Sequence, residues 1–209
     1  MNRKTLAIEL SKLKKLASFN PYLEQYQTDS EIAAEMLWIA YMNGDINNKT
    51  IADFGSGNGI LGIGALILGA KKVFFIEIDK KSIDLLKSNL NSNPNFNEND
   101  YEVLNIDIKD FKKHVDTVVE NPPFGVQKVH SDKIFLETAF KYSEKVYSLH
   151  KIESIDFIKD LSEEFDFDVN SVLNMKFIIK KSMHFHKKEK YPVDIGLWII
   201  SKKIEKRNI

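Results

Sequence analysis

The sequence predicts an α/β fold in which a Rossmann-like sheet of seven strands carries helices on both faces, after a short N-terminal helical extension. Apolar strand-like runs alternate with segments of helical period, a pattern typical of a parallel sheet covered on both sides. A glycine run, residues 53–59, begins within the first predicted strand, residues 51–54, and its glycines end that strand. Sheets of this kind bind ligands in such loops, at the carboxyl ends of their strands.

Each element is predicted from its apolar period. Helical spacing predicts helices at residues 3–17, 28–42, 59–69, 80–90, 131–142 and 152–165. Short apolar runs predict strands at residues 51–54, 73–78, 102–106, 115–120, 145–149, 171–179 and 193–200. Thr28 and Glu31 resemble a capping box, in which the Thr28 side chain accepts hydrogen bonds from the start of the second helix. No helical period separates the last two strands, which predicts a terminal antiparallel hairpin.

Composition fits one domain over residues 1–209, with residues 1–45 as an N-terminal helical extension packed on it. Of the 209 residues, 43% are hydrophobic and 29% are charged, as in ordinary globular proteins. No stretch approaches the roughly 20 apolar residues of a membrane span, and the N-terminus lacks a signal-peptide core. We therefore expect a cytoplasmic protein. Because there is no cysteine, disulfides and thiolate metal sites are excluded.

Charge is distributed unevenly along this chain of zero net charge. Residues 176–209 contain 10 basic and 3 acidic side chains, a net charge of +7, and residues 1–20 carry +4. If both ends lie on one face, they form a basic surface for a polyanion. Solvated lysines with no ligand are the alternative.

The glycine run Asp53-Phe54-Gly55-Ser56-Gly57-Asn58-Gly59 predicts a nucleoside cofactor. Glycines lack a Cβ atom, so the backbone can turn tightly and approach a ligand closely. Glu77 follows Gly59 by 18 residues, close to the spacing of the acid that binds ribose hydroxyls. Asp53 would repel a pyrophosphate but can accept hydrogen bonds from an ammonium group. This favours S-adenosylmethionine over a dinucleotide, with a purely structural glycine turn as the third possibility.

The tetrapeptide Asn121-Pro122-Pro123-Phe124 predicts the reaction. The amine of adenine is a weak nucleophile, and acceptors that hold its hydrogens favour a reactive, pyramidal geometry. The Asn121 side-chain oxygen and the Pro122 carbonyl can serve as these acceptors. The prolines fix φ, and Phe124 can stack on the base. A rigid turn that closes a strand is the alternative interpretation. With the glycine run, the tetrapeptide predicts methyl transfer to a planar amine.

Five segments together are similar, in order and spacing, to the methyltransferase-like-five family of archaeal and eukaryotic rRNA adenine-N6 methyltransferases. Two are the glycine run and the tetrapeptide with Gly125, which many methyltransferases share. The more selective three are Leu23-Glu24-Gln25-Tyr26-x-Thr28, Val146-Tyr147-Ser148-Leu149-His150-Lys151 and Phe185-His186-Lys187-Lys188. The resemblance covers nearly the whole chain. It implies a class I methyltransferase sheet and N6-methylation of a specific adenosine in small-subunit rRNA, with S-adenosylmethionine as methyl donor.

The motifs and the resemblance predict site residues. Catalysis is expected at Asn121, Pro122, Pro123 and Phe124. Cofactor contacts are expected at Gln25, Tyr26, Thr28, Asp53, Gly55, Gly57, Asn58, Ile60, Glu77, Ile78, Asp107, Ile108 and Asn121. For Asp107 the resemblance implies a hydrogen bond from the cofactor's adenine amine, and an ordinary strand-end acid is the alternative. Glu77 departs from the family, which often has Asp there, and the family position of Asn58 varies.

RNA contacts are expected at His186, Lys187 and Lys188. His184 and His186 have a spacing that suits a metal, but no third ligand is evident and the nearby lysines would repel a cation, so no metal is expected. The resemblance implies a heterodimer with a small zinc-binding activator subunit, which would pair with the edge strand 102–106. Two other functions stay open: a protein-glutamine methyltransferase and a noncatalytic RNA-binding or assembly module.

Overall fold

The computed structural model describes residues 1–16, 28–123, 132–180 and 190–204, with the backbone alone described at 176–180 and 190–193. Within these ranges the helices are α1 (Arg3–Ser11), α2 (Ser30–Met42), α3 (Ile60–Ile67), α4 (Lys80–Asn91), α5 (Lys133–Tyr142) and α6 (Ile155–Glu164). The strands are β1 (Thr50–Phe54), β2 (Lys72–Ile76), β3 (Tyr101–Leu104), β4 (Val115–Glu120), β5 (Ser143–Lys151), β6 (Phe167–Lys180) and β7 (Lys190–Lys202). Short 3-10 helices occupy Ile108–Asp110 and Ile152–Ser154.

The seven strands form one sheet in the order β3-β2-β1-β4-β5-β7-β6. Strands β1 to β5 are parallel, whereas β7 runs antiparallel between β5 and β6. The predicted seven-stranded fold and the terminal antiparallel hairpin are confirmed. The second and third strands end earlier than predicted, at Ile76 and Leu104. Residues 77, 78, 105 and 106 therefore belong to the loops beyond the strand ends.

Both faces of the sheet are covered, because consecutive strand residues point to opposite sides. In β4, Val119 lies in the core shared with α1 to α4, and Val118 lies in the core shared with α5 and α6. Leu6 and Leu10 of α1 are buried in the first of these cores. The N-terminal helix is therefore packed onto the sheet domain. None of the helices in the described ranges is long and apolar enough to cross a bilayer.

Two predictions about the N-terminal region were wrong. The first helix ends at Ser11, not at residue 17. The second helix is capped by Asp29, whose Oδ1 accepts a hydrogen bond from the Glu31 backbone N–H at 2.9 Å, and not by Thr28. The Asp side chain serves this position because its short carboxylate reaches a free backbone N–H of the first turn. The Thr28 hydroxyl is thereby left for a contact elsewhere, with Asn121.

Candidate active site

Three parallel strands end side by side at one edge of the sheet. In the strand register Phe54 of β1 lies between Ile76 of β2 and Glu120 of β4. The chain leaves β1 toward β2 on one side, and β4 later joins it on the other, so a topological switch point lies here. The structure therefore brings the loops that begin at residues 55, 77 and 121 together, as the sequence predicted.

The glycine loop after β1 has three residues with positive φ: Gly55 (67°), Gly57 (55°) and Gly59 (87°). Among the described residues, a Cβ atom on Gly57 would meet only the Gly55 carbonyl, at 3.9 Å, so they leave space open beside it. A Cβ atom on Gly59 would lie 2.3 Å from the Leu86 side chain. Gly57 thus leaves room for a ligand, whereas Gly59 is needed for the packing of α3 against α4.

Glu77 is held against the glycine loop by backbone groups. Its Oε2 accepts a hydrogen bond from the Gly57 N–H at 2.8 Å. Its Oε1 accepts bonds from the N–H groups of Ile78 and Asp79, at 2.9 and 2.8 Å. Burial raises the pKa of Glu77, and these bonds offset part of that effect. The carboxylate is therefore fixed at the end of β2, where the ribose-binding acid of Rossmann-type sites lies.

Asp53 lies deeper than Glu77. Its side chain is 1% exposed, and Oδ2 accepts a hydrogen bond from the Gly62 N–H at 2.8 Å. Its pKa is raised to about 7, chiefly by burial and to a smaller extent by the charge of Glu77, against the opposing effect of the Gly62 bond. The observed role of Asp53 is to hold the first turn of α3 against the end of β1. Its predicted contact with an ammonium group stays a prediction.

Asn58 contacts protein, not open space. Its Nδ2 donates to the Lys14 carbonyl at 3.0 Å. Asn89 of α4 completes the arrangement, because its Oδ1 accepts from the Lys14 N–H and its Nδ2 donates to the Asn58 carbonyl, at 2.9 Å each. The segment after α1 is thereby fastened to the glycine loop. Sequence reasoning missed Asn89, because a single asparagine within a helical period gives no signal of a contact with a residue 75 positions away.

The other predicted cofactor residues differ in exposure. The Ile60 and Ile108 side chains are buried in the two cores, so only their backbone groups could face a ligand. Ile78 is 53% exposed and offers an apolar surface beside Glu77. Asp107 caps the following 3-10 helix through the Lys109 N–H at 3.2 Å. Asn105, another residue that the sequence did not single out, donates to the carbonyls of Glu77 and Ile78, at 3.0 Å each, and fixes the loop after β2.

The two polar atoms of the Asn121 side-chain amide differ in their hydrogen bonding. Its Nδ2 donates to the Thr28 hydroxyl at 2.9 Å. Its Oδ1 is buried, and within the described ranges no donor lies at hydrogen-bonding distance from it. A buried amide oxygen without a partner is costly in free energy, by about 1 to 3 kcal/mol. The site therefore holds an acceptor that a ligand's N–H could satisfy.

Several predicted site residues lie outside the described residues. These are Gln25, Tyr26, Phe124, His186, Lys187 and Lys188.

A glycine loop, a fixed acid at the end of β2 and an Asn-Pro-Pro segment after β4, in a sheet of order 3-2-1-4-5-7-6, define a class I methyltransferase. The profile of the Methyltransferase small domain family matches residues 27–148. The rRNA N(6)-adenosine-methyltransferase METTL5 of Danio rerio is 33% identical over 185 residues, which cover 83% of this chain and 86% of the relative. An uncharacterized Methanocaldococcus jannaschii protein is 32% identical over 97% of this chain and 95% of its own length.

The fold is matched by the crystal structure of a candidate RNA methyltransferase from Pyrococcus horikoshii. It has a TM-score of 0.90 at 41% identity and covers 98% of this chain and 99% of that one. The chain therefore belongs to the Methyltransferase small domain family, and within it to the methyltransferase-like-five group. The predicted family is confirmed. The cofactor of this class is S-adenosylmethionine, and the open space at Gly57 and the fixed Glu77 carboxylate fit its nucleoside.

Proposed function

We propose that this protein methylates N6 of a specific adenosine in small-subunit rRNA, at an active site formed by Asn121, Pro122, Pro123 and Phe124. The buried Oδ1 of Asn121, which has no hydrogen-bond partner among the described residues, is the observation that carries the proposal. It supplies an acceptor at the end of β4, where a target amine would meet the cofactor. The similarity to rRNA N6-adenosine methyltransferases over most of the chain supports an adenosine of rRNA as the substrate.

The residues act on the amine by holding its two hydrogens. Asn121 Oδ1 accepts one and the Pro122 carbonyl accepts the other, so the nitrogen lone pair turns away from the ring and becomes nucleophilic. Thr28 fixes the Asn121 amide by accepting from Nδ2, which leaves Oδ1 toward the substrate. Phe124 stacks on the base. When bound, S-adenosylmethionine supplies a methyl group activated by its positively charged sulfur.

The cofactor contacts are proposed for the residues expected from the sequence, with roles adjusted to the geometry. Glu77 holds the ribose hydroxyls and Ile78 covers the adenine with its exposed side chain. Ile60 and Ile108 contribute backbone groups. Asn58 acts by holding the Lys14 segment against the glycine loop. We further propose that residues 1–209 act as one methyltransferase domain in the cytoplasm.

The proposal is tested by transfer of a labelled methyl group from S-adenosylmethionine to purified small ribosomal subunits, naked rRNA and total protein. Mass spectrometry of the digested products should identify N6-methyladenosine, at a stoichiometry approaching one site per rRNA. Methylated glutamine would establish a protein substrate, and no product with any of the three would favour a noncatalytic binding module.

The outer edge of β3 is the proposed docking strand for the zinc-binding activator subunit. Within the described ranges β3 pairs with β2 alone, and all four of its residues are half-buried. An edge strand of this kind pairs readily with a strand of another chain. Co-expression with that subunit should give a 1:1 complex on gel filtration. Val103→Asp should abolish the complex while cofactor binding persists. If the wild type elutes from gel filtration without the activator subunit, the proposed partner is refuted.

His186, Lys187 and Lys188 are the proposed RNA contacts. The net charge of +7 over residues 176–209 supplies local attraction for phosphates despite the neutral chain. Replacing Lys187 and Lys188 together with Glu should weaken binding of an rRNA fragment and reduce the slope of affinity against salt by roughly two phosphate contacts. Lys80 and Lys81 of α4 offer a matched double-charge control. An unchanged slope would assign RNA binding to another surface.

A further inference from the structure

Four polar side chains form a buried row on the α5 and α6 face of the sheet, just below the active-site edge. The Ser148 hydroxyl donates to Glu120 Oε1 at 2.8 Å and lies 2.7 Å from His150 Nε2. His150 Nδ1 lies 3.5 Å from Asp132 Oδ2. Glu120, Ser148 and His150 are each at most 1% exposed. We name this row, Glu120-Ser148-His150-Asp132, the β5 bridge, because its two central residues belong to β5.

Such a row requires an explanation, since burial of polar and ionisable groups is unfavourable unless they are paired. The pKa of Glu120 is raised to about 8, chiefly by burial and also by the charges of Asp132 and Asp53, against the opposing effect of the Ser148 bond. This rise favours the neutral carboxyl, which spares the row an additional buried negative charge. Methyl transfer as described above makes no use of this row.

The position of the β5 bridge along the chain suggests its role. Glu120 directly precedes Asn121, and Asp132 directly precedes α5. The 11 residues between them contain the whole tetrapeptide 121–124. The Ser148 hydroxyl donates to Glu120 and so accepts from His150 Nε2–H. With a proton on Nδ1 as well, His150 pairs with Asp132, and the row then connects the two chain ends from which the catalytic segment starts and returns. Fastening of Glu120 to β5 limits the conformational freedom of the adjoining Asn121 and Pro122 before the substrate binds.

We propose that Ser148 and His150 are positioning residues for the methyl-transfer reaction. By joining Glu120 to Asp132, they hold the ends of the catalytic segment so that the acceptors at Asn121 and Pro122 keep one orientation. Misplacement of a reacting group by about 1 Å can lower a rate about a hundredfold, so the β5 bridge acts on kcat. This inference rests on the proposed function, because it assigns the residues to the same active site.

A matched control lies on the same strand. Ser143, at the other end of β5, is also buried, and its hydroxyl donates to the Ala139 carbonyl at 2.8 Å. Ser143→Ala and Ser148→Ala each remove one buried, hydrogen-bonded hydroxyl. A role in stability alone would lower the melting temperature in both variants and leave kcat per folded molecule equal.

The experiment compares steady-state methylation of small-subunit rRNA by the wild type and both serine variants. Ser148→Ala should lower kcat at least about tenfold with KM for S-adenosylmethionine within about twofold, whereas Ser143→Ala should leave kcat within about twofold. His150→Gln, which keeps a side-chain donor and acceptor, should recover part of the activity that His150→Ala loses. Equal kcat in the two serine variants, or a loss confined to KM for the cofactor, would overturn the proposal.

Hydrogen exchange provides a readout that needs no activity. In Ser148→Ala, amides at residues 115–121 and 132–142 should exchange faster than in the wild type, and in Ser143→Ala residues 115–121 should be unchanged. If the wild type transfers no methyl group but this difference appears, the proposed function fails and the fastening of the segment stands. If the two variants exchange alike at 115–121, the β5 bridge has no such role.

Discussion

The two halves of the active-site edge differ in how completely their polar groups are paired. On the side of β1 and β2, the Glu77 carboxylate already accepts three backbone N–H groups. On the side of β4, the Asn121 amide has one bonded nitrogen and one buried, unpaired oxygen within the described ranges. The Glu77 carboxylate is thus fully paired within the chain, whereas the Asn121 oxygen lacks a donor among the described residues. Ser56 Oγ in the glycine loop is also buried without a partner there, so the contrast is between these two functional side chains.

This difference matches the two tasks of a methyltransferase. A cofactor pocket used in every turnover gains from rigid, preformed groups, since little ordering remains to be done on binding. An unpaired acceptor destabilises the free protein slightly, and that free energy is recovered when a correct amine binds. A base without an exocyclic amine would leave Oδ1 unpaired and would be disfavoured. The asymmetry therefore predicts that selectivity for a base with an exocyclic amine, against uracil, resides at Asn121.

Removal of the Asn121 amide should have the largest effect. Asn121→Ala should lower methyl transfer to rRNA about a hundredfold or more, because the target amine loses an acceptor needed in the transition state. Affinity for S-adenosylmethionine should stay within about threefold. Single-turnover kinetics and calorimetry measure the two quantities, with the exposed Asn91→Ala as control. If Asn121→Ala loses cofactor affinity and keeps its rate of methyl transfer, Asn121 serves the cofactor and the proposed difference between the two sides is wrong.

Removal of the Glu77 carboxylate should have the converse effect. Glu77→Ala should weaken binding of S-adenosylmethionine by about 1 to 3 kcal/mol, the value of a charged hydrogen bond together with the loss of support for the Gly57 N–H. At saturating cofactor, kcat should change far less. Calorimetry on the wild type and on the exposed control Glu98→Ala tests this prediction. Equal affinity in all three proteins would remove Glu77 from the cofactor site.

The smallest expected effect is a pH dependence of stability. Both Asp53 and Glu120 have raised pKa values in the folded state, about 7 and about 8, against 3.8 and 4.5 as their ordinary values. At pH values between the ordinary and the raised pKa of each group, the folded protein keeps a proton that the unfolded chain releases. Stability should therefore be greatest at the acidic end of this range and fall as pH rises toward 8, by at most about 1.4 kcal/mol per pH unit and group.

Glu120→Gln isolates one of these contributions, because an amide stays neutral at every pH. Its free energy of unfolding should fall less than that of the wild type between pH 5 and pH 8, in urea titrations at both values. Glu98→Gln, in an exposed loop, should follow the wild type. Parallel behaviour of all three proteins would mean that Glu120 is ionised in the folded state.

The sheet was predictable from the sequence because its strands are almost entirely apolar and its loops carry glycine and proline. Apolar period and glycine placement report burial and turn geometry directly, which is why all seven strands and the hairpin were found. The residue that caps α2 could not be predicted, since Thr28 and Asp29 are both good capping residues and local sequence cannot choose between them. The choice depends on Asn121, 93 positions away, which binds the Thr28 hydroxyl.

The sequence also does not predict which side chains contact each other across the sheet. The sequence marks residues 146–151 as characteristic of a family, but it gives no physical reason for Ser148 and His150. That reason appears only when β5 lies beside β4 and places Ser148 opposite Glu120. Likewise, the three glycines of one motif look equivalent in sequence, and only packing shows that Gly59 borders Leu86 while Gly57 borders open space.

The place of β7 in the sheet has a consequence for synthesis on the ribosome. β7 is the last strand of the described ranges, yet it lies between β5 and β6, and within these ranges β6 pairs with no other strand. While β7 is still inside the exit tunnel, the nascent chain exposes an unpaired edge on β5 and an isolated β6. Completion of the sheet must therefore follow translation of residue 202, and stalled or shortened chains should need chaperones to avoid aggregation.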